Sequence, residues 1–237
     1  MSIRLALVLT LATLGPAVAS AQGHDHSHGD GSDPASSGGV AAMSGPIVQA
    51  AHLKLTAMRP PNASDSARGA EVLRGMRKGV EPYRDYRKAI EDGYRIFLPN
   101  VPMKVYHFTN YGRAIREGRS FDPTKPSSLL YERDEDGGYT LVGAMYVARK
   151  DATPDELDAR VPLSLAQWHA HVNICVPPRR DRARWLEKVD GQMRFGPAGA
   201  IATKEECDRE NARFIPQLFG WMVHVSFEDG FQGAHKH

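Results

Sequence analysis

The stretch Gln167-Trp168-His169-Ala170-His171-Val172-Asn173-Ile174-Cys175, QWHAHVNIC, alternates apolar and polar side chains without a break. Successive side chains of a strand point to opposite faces. Trp168, Ala170, Val172 and Ile174 are therefore expected on a core face, and His169, His171, Asn173 and Cys175 on the other. The same parity recurs near the C-terminus, where Trp221, Val223, Val225 and Phe227 alternate with Met222, His224 and Ser226. Further strands are expected at 103–110 (MKVYHFTN), 127–133 (SSLLYER) and 139–148 (YTLVGAMYVA), with Asp136-Gly137-Gly138 as the hairpin turn between the last two.

Helical patterning precedes the strands. Residues 65–78 form one candidate helix. A second begins at Glu81-Pro82, with Tyr83, Tyr86 and Ile90 on one face, and stops at Gly93. A late helix is expected from Thr203, because Thr203-Lys204-Glu205-Glu206 has capping-box spacing. The fold class is α+β: N-terminal helices on a mainly antiparallel sheet, closed as a sandwich or a partial barrel, in one globular domain over residues 47–237. With 41% hydrophobic residues the chain can bury one such core.

The first 21 residues read as a secretory signal peptide: Arg4, an apolar run over residues 5–14, then Gly15-Pro16 and the small residues Ala17, Val18, Ala19, Ser20 and Ala21. The run is far shorter than the roughly 20 residues of a membrane span. A periplasmic or secreted protein is the expectation. The formal charge of +2 argues against nucleic acid as a partner and leaves a metal ion or a small-molecule ligand. In an oxidising compartment Cys175 and Cys207 are expected to pair. Their loop would stabilise the fold by about 3.7 kcal/mol on the chain-entropy account.

If the strands share a sheet, His169, His171 and His224 converge on one face, with His107 or Glu132 as a fourth ligand. Histidines at i and i+2 of a strand, joined by one from a neighbour, suit copper or zinc because the imidazoles can aim at one point without moving the backbone. Residues 22–46 read as a disordered His-, Gly- and Ser-rich tail. Cleavage after Ala21 would make Gln22-Gly23-His24 the N-terminus, whose amine, two amides and imidazole form a square-planar set for Cu(II), with His26 and His28 as further ligands. The arginine-rich run at 179–184 is read as a solvated face.

The order AIEDGYR, VYHFTN, FDPTKPSSLLYE, YTLVGAMYV, WHAHVNICVPP resembles a group of exported bacterial proteins with a Gly-Tyr helix end, an HYVN-like strand, an LLYE strand and a later His-bearing strand. The resemblance implies a single exported domain and carries no particular chemistry. The His-x-His pair is similar to that of cupins, but Cys175 and Val176 follow where the cupin pattern places Glu. Metal binding or handling is the leading expectation. The alternatives are a metal-dependent oxidoreductase or hydrolase with Glu132 or Glu228 as general base, and a metal-free small-molecule binding module.

Overall fold

Residues Asp65, Gly69, Val72, Met76 and Val80 are the buried positions of helix α1 (Asp65–Val80), and their three- and four-residue spacing makes one apolar stripe. The computed structural model of the chain describes residues 50–99, 103–227 and 230–231, all within one compact unit. The leader and tail expected over residues 1–46, including Gln22, Gly23, His24, His26 and His28, lie outside the described residues. Asp65 is buried at the start of α1, where Arg59 donates to both carboxylate oxygens at 2.7 and 2.8 Å and Ser164 adds a third bond at 2.6 Å. The helix expected after it is interrupted. A 3-10 turn (Glu81–Tyr83) leads to helix α2 (Tyr86–Glu91), because the Asp85 side chain accepts from the Arg87 amide and starts a new helix there. Gly93, at φ +88°, ends it.

The described chain continues with strands β1 (Leu53–Leu55), β2 (Arg95–Ile96), β3 (Val105–Thr109), β4 (Ser128–Arg133), β5 (Tyr139–Ala148), β6 (His169–Val176), β7 (Lys188–Val189), β8 (Gln192–Met193), β9 (Arg213–Gln217), β10 (Trp221–Ser226) and β11 (Gly230–Phe231). Helices α3 (Tyr111–Glu117), α4 (Pro154–Arg160) and α5 (Lys204–Arg209) complete the pattern. The main sheet has nine strands in the order β1-β6-β10-β5-β4-β3-β2, with β9 beside β6 and β11 beside β10; all its pairings are antiparallel. The α+β expectation is met. Thr203 caps α5 with both capping-box hydrogen bonds and places Cys207 in the disulfide with Cys175, at a Cα separation of 5.6 Å. No helix among the described residues is long and apolar enough to cross a membrane.

One sheet face packs on α1, the 3-10 turn and α2. Trp168, Ala170, Trp221, Val223, Val225, Tyr146, Leu129, Tyr131 and Phe108 meet Val72, Met76, Val80 and Ala89 there in the main core. The opposite face is strongly curved. Leu130 pairs with Gly143 and Tyr131 with Leu141, so Val142 is an extra residue in β5, and a bulge of this kind bends and twists its strand. Gly143 is required at the bend, since a Cβ there would lie 2.3 Å from the Val225 carbonyl oxygen.

The structure departs from the sequence expectations in two further places along the chain. Alternation along β6 ends at Asn173, which adopts φ +58°, donates to the Ala51 carbonyl and lets the strand leave β1 for β9. Ile174 and Cys175 are consequently both buried, Cys175 in a small second core with Phe195, Ile201 and Cys207. In the run 179–184, Arg184 is not a solvated residue. It pairs with Glu187 and Glu210 at 3.0 and 2.7 Å and lies over the Phe195 ring.

Candidate metal centre

β10 lies centrally, and its cross-strand pairing decides which side chains share the concave face. Met222 stands opposite both Val147 of β5 and His169 of β6, and His224 stands opposite Met145 of β5. Directly opposed residues point to the same face. His169, Met222, His224, Met145 and Val147 therefore form one patch, to which β6 adds His171, β4 adds Ser128, and β3 adds Val105, His107 and Thr109.

Curvature turns this patch into the floor of a cavity of about 560 Å³. Phe97, following β2, meets Phe219, in the loop before β10, with ring centroids 5.9 Å apart, and Tyr111 and Ile115 of α3 line another wall. Most of the lining is apolar. No aspartate or glutamate lines the cavity among the described residues.

The histidines form a continuous series of ring contacts. His107 and His224 lie 5.3 Å apart between centroids, His224 and His169 5.0 Å, and His169 and His171 5.8 Å. The Nε2 atoms of His107 and His224 are 3.3 Å apart. His169 and His224 are only 2% and 3% exposed, and His169 Nε2 and His224 Nδ1 have no hydrogen-bond partner. Burial pulls His107 and His171 down to about 4 and His169 to about 3, and holds His224 well below the ordinary imidazole range. Neighbouring histidines add to the effect, each opposing charge on the next. All four rings are neutral near pH 7, the form that offers a lone pair to a metal.

Among the described residues no group of three or more His, Cys, Asp or Glu side chains is arranged so that it could hold a metal ion. No family model, curated protein or solved structure matches this chain. Its chemistry is therefore read from the site itself.

Of the expected site residues, the fold gathers His107, His169, His171 and His224. Glu132 is set apart: it is exposed at the end of β4, near the turn that returns the chain to β5, and does not line the cavity. An unpaired carboxylate gains more from water there than from an apolar floor that carries no cation. Glu228 lies outside the described residues. Cys175 and Cys207 are joined to each other and so take no part.

His52 is not singled out by the sequence pattern. It is fully buried before β1, with Nε2 2.8 Å from the Gly199 carbonyl oxygen and Nδ1 3.3 Å from that of Val172, and it ties β1 to its surroundings without lining the cavity. Met145 is a second omission. Its place beside His224 depends on register between strands far apart in sequence, for which a lone methionine gives no signal.

Proposed function

We propose that the protein binds a transition-metal ion, copper or zinc, through His107, His169 and His224, with His171 as a further nitrogen. The observation carrying this reading is the buried, unpartnered His169 Nε2 beside the 3.3 Å contact between the Nε2 atoms of His107 and His224. A buried polar atom without a partner costs about 1–3 kcal/mol, and a ligand atom in the cavity would remove that cost. The 3.3 Å separation also equals the edge of a tetrahedron of nitrogens each about 2.0–2.1 Å from zinc. No three of these side chains are already arranged to hold an ion among the described residues, so binding would require the imidazoles to rearrange. The two thioethers of Met145 and Met222, opposite His224 and His169, favour copper(I), a soft ion. The disulfide and the leader-like first 21 residues support a periplasmic or secreted setting.

A metal-dependent enzyme is the second reading, supported by the volume above the histidines, which is that of a small-molecule site. The acid-free lining supplies no carboxylate base among the described residues, which favours binding over hydrolysis.

Equilibrium dialysis of untagged protein against zinc, followed by elemental analysis, tests the reading. Tail histidines bind metal in their own right, so the informative quantity is the difference between proteins. His107→Ala/His224→Ala is expected to hold one equivalent less than the unaltered chain while keeping its far-ultraviolet circular dichroism. Equal occupancy in a folded variant removes these residues from the site.

A further inference from the structure

The cavity floor is buried and uncharged, but its outer residues are basic. Lys104, Arg119, Arg149 and Lys150 all line it and are all exposed. Three of them gather at the C-terminal end of β5: Arg149 and Lys150 come directly after that strand, and Gly118, the neighbour of Arg119, packs on Arg149, so that a Cβ there would lie 3.7 Å from Arg149 Cγ. Arg149 is partly neutralised by Asp151 and Glu156, each at 3.2 Å, and Lys150 donates to the Gln217 carbonyl at 2.7 Å. Arg119 has no ion-pair partner among the described residues. Between this end and the histidines the walls are aliphatic, aromatic and thioether: Phe97, Met103, Ile115, Val147, Phe219 and Met222. Leu98, Tyr111, Ile115 and Phe219 remain substantially exposed at the opening, which is how the entrance of an apolar site presents itself to water.

We infer that the cavity binds a small amphipathic acid, an apolar-bodied molecule with one anionic group, whose body lies against the Val147–Met222 wall and whose anionic end is held by Arg119 and Lys150. Charge selects the occupant. With four cations and no acid among the described lining residues, an anion gains at the opening while a cationic amphiphile is repelled. The volume, about 560 Å³, suits a ligand of this class. The inference goes beyond the metal reading and does not require the ion.

The test is isothermal titration of the untagged full mature chain with decanoate and with decanol, each in chelator-treated and in zinc-loaded protein. Decanoate is expected to bind with one-to-one stoichiometry and at least tenfold more tightly than decanol. The exposed double variant Arg119→Glu/Lys150→Glu is expected to lose at least tenfold in decanoate affinity, with decanol within twofold and the thermal midpoint unchanged. Binding of neither compound, equal binding of both, or decanoate affinity unaffected by charge reversal overturns the inference. Because chelated protein is included, failure of the metal site leaves the decanoate result standing, and failure of decanoate leaves the metal reading standing.

Discussion

The Nε2 atoms of His107 on β3 and His224 on β10 lie 3.3 Å apart although β4 and β5 run between their strands. Three strand spacings of about 4.8 Å would separate β3 from β10 by about 14 Å in a flat sheet. The two imidazoles meet only because the sheet curls, with the bulge at Val142 and the bare backbone of Gly143 providing the bend. The metal reading therefore depends on backbone shape as much as on ligand identity.

Protonation opposes this buried cluster. An unfolded chain takes up protons at these histidines near pH 6.5, whereas the folded chain resists until about pH 4 at His107 and His171 and about pH 3 at His169. A group with a lowered folded value of this kind stabilises the unfolded state as pH falls, by about 1.4 kcal/mol per pH unit once it titrates in that state alone. Glu117 acts in the other direction. Burial raises its carboxyl to about 8, so between pH 4.5 and 8 it lowers stability as pH rises. Four histidines outweigh one carboxyl between pH 4.5 and 6.5, and the urea midpoint of chelator-treated protein is expected to fall as pH is lowered through that range. A flat or rising midpoint contradicts the neutral-imidazole description.

Met145 and Met222 separate copper from zinc. Replacing both by leucine conserves volume, and each change is expected to cost less than about 1.5 kcal/mol in stability. Loss of the soft sulfurs is expected to weaken copper(I) binding by about tenfold, measured by competition with a chromophoric chelator, and to leave zinc within about threefold. Unchanged copper(I) affinity would make the two side chains core fillers only.

Much of the fold is legible in the sequence because period-two alternation is a local signal. β5 spans the expected residues 139–148, and β10 places Trp221 on the main-core face and His224 on the opposite, concave face, as its pattern requires. α5 is legible from its capping box, and the disulfide from two cysteines in a chain with a leader-like start. The turn of the chain at Asn173 is not legible, because a left-handed residue inside an alternating stretch leaves the apolar pattern intact while rotating the residues after it. Parity misplaces Glu132 because it assigns a face but says nothing of how far along the strand the cavity extends. The cationic opening gives no sequence signal at all: Arg119, Arg149 and Lys150 come from segments beside α3 and β5 that meet only in the folded sheet.

The tail is expected to form a separate site. Deleting residues 22–28 should abolish a square-planar Cu(II) signal in electron paramagnetic resonance and leave the zinc equivalent assigned to His107 and His224 in place. A spectrum unchanged by the deletion means that the terminal site does not form.

The most direct test of the central claim is an anomalous difference map from crystals of the zinc-loaded protein, collected on both sides of the zinc absorption edge. The expected result is one strong peak on the cavity floor, about 2.0–2.1 Å from nitrogens of His107, His169 and His224. A map without a peak there, at zinc concentrations that saturate the protein in solution, would contradict the assignment.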